Sequence, residues 1–171
     1  MKWILRIFIA LAGVILLMTV AGWLLPKEHV ASLMVRLNQN PDAVWSAITD
    51  AGAMPAWREG LKSVKTLPSR NGLPAWVENV SGAGDISLET TVSEPPKKLV
   101  VRIADPNLPF GGAWTYEIVP TADGCTLRIT ENGEVRNPIF RLLSRFDQPG
   151  TIRTYLKSLS RKFGEPARIE P

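Results

Sequence analysis

The stretch Asp85-Ile86-Ser87-Leu88-Glu89-Thr90-Thr91-Val92-Ser93 alternates with a period of two. Ile86, Leu88, Thr90 and Val92 fall on one side, and Ser87, Glu89, Thr91 and Ser93 on the other. A strand with one apolar and one polar face belongs to an antiparallel sheet that is covered on one side only. Turn residues bound it: Ser81-Gly82-Ala83-Gly84 before, Pro95-Pro96 after. The neighbouring segments read the same way. Leu61–Leu67 leads into Arg70-Asn71-Gly72, a hairpin signal, and Ala75–Val80 returns. Lys98–Ala104 follows, then a loop at Asp105–Gly112 (DPNLPFGG), then Ala113–Val119 and Thr126–Thr130 joined across Asp123-Gly124. With Val30–Leu37, this predicts about seven strands.

Helical patterns lie at the two ends of that run. Asn40 can cap a helix with Pro41 in its first turn, and Val44, Ala47, Ile48 and Ala51 recur at helical spacing before Gly52. A second short helix, roughly Met54–Glu59, carries Trp57. After Pro138, Ile139, Leu142, Leu143 and Phe146 form an apolar stripe. Beyond Pro149-Gly150, Ile152, Tyr155, Leu156, Leu159 and Phe163 continue it, with Arg153, Lys157 and Arg161 opposite. The pattern predicts a long C-terminal helix kinked or split near Pro149. Strands grouped together with helices at the ends indicate an α+β domain. In this reading a curved antiparallel sheet of about seven strands wraps the long C-terminal helix and leaves room for a pocket between them.

Ile7–Leu25 contains 19 residues without a charge. As a helix it spans about 28 Å, close to the hydrocarbon thickness of a bilayer. Trp3 and Trp23 flank it, and Lys2 and Arg6 precede it. The expectation is a single-pass anchor in the cell membrane over residues 1–26, with a cytoplasmic N-terminus and the domain, residues 27–171, on the outer side. The rival is a cleaved signal peptide. Its best small-x-small site, Thr19-Val20-Ala21, lies inside the apolar run.

The 171 residues carry a net charge of +4. From Arg136 onward eight basic residues face three acidic ones. A basic C-terminal third suits anionic lipid headgroups or simply a solvated helix face. No nucleic-acid recognition motif accompanies it. Cys125 is the one cysteine, so neither an intrachain disulfide nor a thiolate metal site can form. His29 is the one histidine and is placed in the linker before the domain, which argues against a Ser-His-Asp or Cys-His arrangement and against a histidine metal cluster. The glycines form neither a P-loop nor a dinucleotide fingerprint, so no cofactor is expected.

The order of elements, together with Asn40-Pro41-Asp42-Ala43-Val44-Trp45, Met54-Pro55-Ala56-Trp57, Gly111-Gly112-Ala113-Trp114-Thr115-Tyr116 and the final amphipathic helix, resembles the START-like (SRPBCC, Bet v 1-like) superfamily, and within it the polyketide cyclase/dehydrase and lipid-transport branch. The similarity covers about residues 30–165. It implies the helix-grip fold and a deep cavity for hydrophobic molecules such as lipids, sterols or polyketides. In some members the cavity also holds catalytic polar residues. The N-terminal anchor departs from the many relatives that are soluble.

Two acids share faces with apolar residues: Glu78 with Trp76 and Val80, and Glu131 with Leu127 and Ile129. Pointing inward, they are the candidates for general acid/base work with raised pKa values; at strand ends they would instead stay in water. Arg102 alternates with Val101 and Ile103 and is expected to face solvent. Trp114, Tyr116 and Ile118 share one face. The expected ligand-contacting set is Trp57, Trp76, Glu78, Leu88, Phe110, Trp114, Tyr116 and Tyr155, with Leu108 and Phe110 at the tip of a rim loop that could touch membrane. Three readings follow: a membrane-tethered module binding a hydrophobic small molecule without covalent chemistry; a cyclase or dehydratase using Glu78 or Glu131; or a non-catalytic interaction protein with a filled core.

Overall fold

The computed structural model describes residues 2–145 and 149–171. The chain opens with helix α1 (Lys2–Leu24) and enters strand β1 (Glu28–Leu37) directly. Helix α2 (Pro41–Thr49) and a 3₁₀ turn (Ala51–Ala56) follow. Six strands come next: β2 (Leu61–Arg70), β3 (Leu73–Val80), β4 (Gly84–Glu94), β5 (Lys98–Ile103), β6 (Phe110–Thr121) and β7 (Gly124–Val135). Helices α3 (Pro138–Ser144) and α4 (Gly150–Lys162) and a two-residue strand β8 (Ile169–Glu170) complete the chain. All strands form one antiparallel sheet in the order β2-β3-β4-β5-β6-β7-β1-β8.

Local chemistry accounts for the boundaries. The Asn40 side chain accepts from Asp42 N at 2.9 Å and starts α2. Asn137 accepts from the amides of Ile139 and Phe140 and starts α3. Asn71 and Gly72 have φ values of 51° and 77°, the two positive angles of the tight turn that matches strand twist. Inside the curve, Ile152, Tyr155, Leu156 and Leu159 of α4 pack with Leu33, Val35, Leu37, Val44, Ile48, Leu127 and Ile129 in the core. The α+β, helix-grip architecture is therefore the observed one.

Several expected boundaries move. The expected helix at Met54–Glu59 is instead the 3₁₀ turn Ala51–Ala56, with Trp57 at its C-terminal cap; Asp50 closes α2 and its side chain accepts from Ala53 N. The rim loop is shorter than expected, because Phe110, Gly111 and Gly112 are already in β6, paired with Val135, Glu134 and Gly133. Glycines within strands mimic loop sequence, yet here they are needed: a Cβ on Gly112 would collide with the Asn132 carbonyl. The C-terminal helix is split into α3 and α4, as Pro149-Gly150 suggests; Phe146 of its expected stripe lies outside the described residues. A bulge between Thr90 and Val92 interrupts the alternation of β4.

The register assigns each connection to one end of the sheet. Glu28 pairs with Glu134, Phe110 with Val135, Leu88 with Ile103, and Val80 with both Gly84 and Leu61. One end therefore gathers the α1–β1 junction, the β3–β4 turn, the β5–β6 loop and the β7–α3 junction. The opposite end holds the β2–β3, β4–β5 and β6–β7 hairpins.

Candidate functional site: a cavity with two polar stations

A cavity of about 690 Å³ lies between the concave face of the sheet and helices α3 and α4. The side chains of the described residues leave this space unfilled. Trp76, Glu78, Leu88, Phe110, Trp114, Tyr116, Glu131 and Tyr155 all line it. Trp57 does not. Its ring stands edge-on to Tyr155 with centroids 5.5 Å apart, behind the wall rather than in it.

The first station centres on Glu78, which is 3% exposed. Its Oε1 accepts from Arg58 Nη1 at 2.7 Å and from Trp76 Nε1 at 3.1 Å. The expected acid is thus buried but ion-paired, with an arginine the sequence reading did not select. The same guanidinium stacks over the Tyr155 ring at 5.2 Å. Burial, the largest influence, would lower the Arg58 pKa; Glu78 together with the two neighbouring tyrosines outweighs it and holds the guanidinium above its ordinary value. One sequence signal pointed to Arg58: a carboxylate on an apolar strand face needs a cation, and Arg58 lies beside Trp57 where the chain enters the sheet.

The second station centres on Glu131. Its Oε1 lies 3.2 Å from His29 Nε2, and Trp114 Nε1 donates to its Oε2 at 3.0 Å. His29 is not in a linker, as expected, but in β1, paired with Gly133 and lining the cavity. The absent side chain of Gly133 makes room for it, since a Cβ there would collide with the imidazole. Strand β1 begins one residue before the histidine, which is why the linker reading misplaced it.

Tyr116 and Tyr155 stand between the stations with ring centroids 5.7 Å apart. Burial pushes the Tyr116 phenol up to about 12 and the Tyr155 phenol well above its usual value, so both remain neutral donors. The Tyr155 hydroxyl and Trp57 Nε1 are buried without a hydrogen-bond partner among the described residues. Arg102 keeps to the outer face as expected, where it and Arg70 both bind Glu89. Cys125 is buried away from the cavity lining, and burial pushes its thiol up to about 11. No cluster of three metal-ligating side chains occurs among the described residues.

This arrangement can enclose an apolar molecule against aromatic walls and offer it neutral phenol donors, a paired carboxylate and an imidazole–carboxylate pair. The family model described as polyketide cyclase/dehydrase and lipid transport matches residues 29–164. Comparison with curated proteins gives no match. Among solved structures, a START superfamily protein from Mycobacterium smegmatis superposes with a TM-score of 0.60 at 18% identity, over 80% of this chain and 97% of that one. Norcoclaurine synthase from Thalictrum flavum gives 0.63 at 12% identity, over 81% and 88%. The two-domain aromatase/cyclase StfQ of the steffimycin pathway gives 0.62 at 14% identity, over 81% of this chain and 52% of that one. At such identities the likeness is one of fold.

Proposed function

The chain belongs to the polyketide cyclase/dehydrase and lipid-transport family, and we propose that it is a membrane-tethered module that binds a hydrophobic small molecule or lipid in its cavity. The observation that carries this reading is the space of about 690 Å³ left between sheet and helices beside the buried hydrophobic core. Such a volume is that of a ligand site, and its apolar walls reward entry by roughly 25 cal/mol per Å² of ligand surface buried. Trp76, Leu88, Phe110, Trp114, Tyr116 and Tyr155 form the contact surface. Glu78, with Arg58, orients a polar end of the ligand. Trp57 supports Tyr155 from behind.

The tether is α1, long and apolar enough to cross a bilayer. Lys2 and Arg6 favour a cytoplasmic N-terminus in the cell membrane and a domain on the outer side. Retention of α1 rather than cleavage is supported by its packing: Gly22 is buried against Pro138 of α3.

A second reading, an enzyme of cyclase or dehydratase type, is favoured by one feature: His29 and Glu131 form a hydrogen-bonded imidazole–carboxylate pair on the cavity wall, a pairing suited to general acid/base work. Glu78, tied to Arg58, would act there electrostatically.

Thermal unfolding of the full chain in detergent, against a panel of lipids, sterols and aromatic polyketides, tests the binding reading. A ligand at a hundred times its Kd stabilises by about 2.7 kcal/mol, several degrees in Tm. Ile86→Trp, which narrows the cavity from β4, reduces the shift. No shift from any member of the panel would contradict the reading. Glu131→Gln separates the alternatives: a binder keeps its shift, whereas an enzyme loses turnover of the molecule that binds.

A further inference from the structure

Arg141 is 5% exposed, and its guanidinium spends its hydrogen bonds on backbone carbonyls. Nε donates to Val135 O at 3.0 Å and Nη2 to Arg136 O at 3.1 Å. Nη1 donates to Gly22 O and Leu25 O, both at 3.1 Å. Gly22 lies in the last turn of α1 and Leu25 directly follows it, at the end where helix carbonyls run short of intrahelical partners and the helix dipole is negative. Arg141 therefore caps the apolar helix and ties it to the β7–α3 junction. Gly22 tightens the joint, since any side chain there would strike the Pro138 carbonyl.

A clamped helix fixes the domain relative to whatever α1 crosses. The sheet register puts the α1–β1 junction, the β3–β4 turn, the β5–β6 loop and the β7–α3 junction at one end. Among the residues lining the cavity, Ala83, Leu108, Pro109, Phe140 and Ser144 belong to these elements and are exposed or half-buried, which puts its mouth there. Beside this mouth α3 exposes Phe140 (51%) and Leu143 (48%), and α1, which packs on α3, exposes Trp23 (75%) and Leu24 (83%). Resting on the membrane-anchoring reading above, we propose that the Arg141 clamp holds the cavity mouth against the bilayer, so that the apolar face of α3 and the 104–109 loop sit in the leaflet interface and the ligand passes directly between leaflet and cavity.

Depth-dependent quenching tests this on the full chain in phosphatidylcholine–phosphatidylglycerol vesicles. With Cys125→Ala as background, a nitrobenzoxadiazole label is placed through Leu143→Cys, Leu108→Cys or, at the far end of the sheet, Asp123→Cys. The expected result is quenching by doxyl-labelled lipid at 143 and 108 that exceeds quenching at 123 several-fold. Arg141→Met reduces that contrast, while binding of anilinonaphthalene sulfonate in the cavity persists. Equal quenching at all three sites overturns the proposal, as does crosslinking between copies through residue 143 with no lipid quenching. If the chain fails to float with vesicles, the anchor itself is refuted. If it floats and shows no contrast, the anchor stands and only the orientation is refuted.

Discussion

Arg58→Met leaves Glu78 as a buried carboxylate with one indole for company. Removing one partner of a buried pair costs about 3–5 kcal/mol, and the 23% exposure of the Arg58 side chain places the expected loss at the lower end, about 3 kcal/mol. Adding Glu78→Gln restores part of it, and urea denaturation of the two variants measures the difference. The two tyrosines give a second test, because the chain has no others and both line the cavity. Their raised pKa values mean that the neutral phenols contribute stability that is intact below the ordinary value of 10.0 and is lost as the pH climbs through the folded values, about 12 for Tyr116 and well above the ordinary value for Tyr155. Tyrosinate absorbance therefore stays flat to about pH 11 and rises only with alkaline unfolding; titration near pH 10 with circular dichroism intact would contradict the buried placement. The inward direction of Glu78 and Glu131 was legible from the two-residue period. Their partners were not. Arg58 lies 20 residues from Glu78, and His29 lies 102 from Glu131, so only chain topology brings them together.

Among the elements, β7 and β1 meet at Gly133, whose missing side chain seats the His29 ring. Gly133→Ala crowds the imidazole away from Glu131 and costs about 1–3 kcal/mol, as overpacked sites do. The histidine ring signals in an NMR spectrum report the displacement, and unchanged signals would refute the seating. The same glycine explains a limit of reading strands by pattern. Alternation marked β3, β4 and β5 because each position carried a side chain to classify. Gly111, Gly112 and Gly133 carry none, so the ends of β6 and β7 resembled loops although backbone pairing makes them strand. The break between α3 and α4 was legible because proline excludes itself from a helix interior whatever the tertiary context. The 3₁₀ turn was not, since its extent depends on the Asp50 side chain serving the end of one helix and the start of the next turn.

For the molecule as a whole, the outer face of the sheet adds an acid sensitivity separate from the cavity. Hydrogen bonds from Arg102 and Arg70 hold the Glu89 carboxyl below the ordinary value of 4.5. Because the folded pKa is depressed, the cluster stabilises the fold above pH 4.5, and that contribution disappears as the pH falls through the lower folded value. Glu89→Gln lowers Tm at neutral pH and flattens its decline toward about pH 3, a comparison thermal melts make directly. None of this changes what the fold encloses. A sheet closed on one side by α4, with aromatic walls and two paired acids, retains space that a protein built only for stability would have filled. Native mass spectrometry of the full chain, extracted from the cells that produce it without added lipid, asks whether that space is used. The expected spectrum carries a reproducible adduct of one hydrophobic molecule, at lower occupancy in the cavity-narrowing Ile86→Trp purified in parallel. A bare polypeptide mass for both proteins, recovered repeatedly under conditions that preserve the fold, would contradict ligand capture.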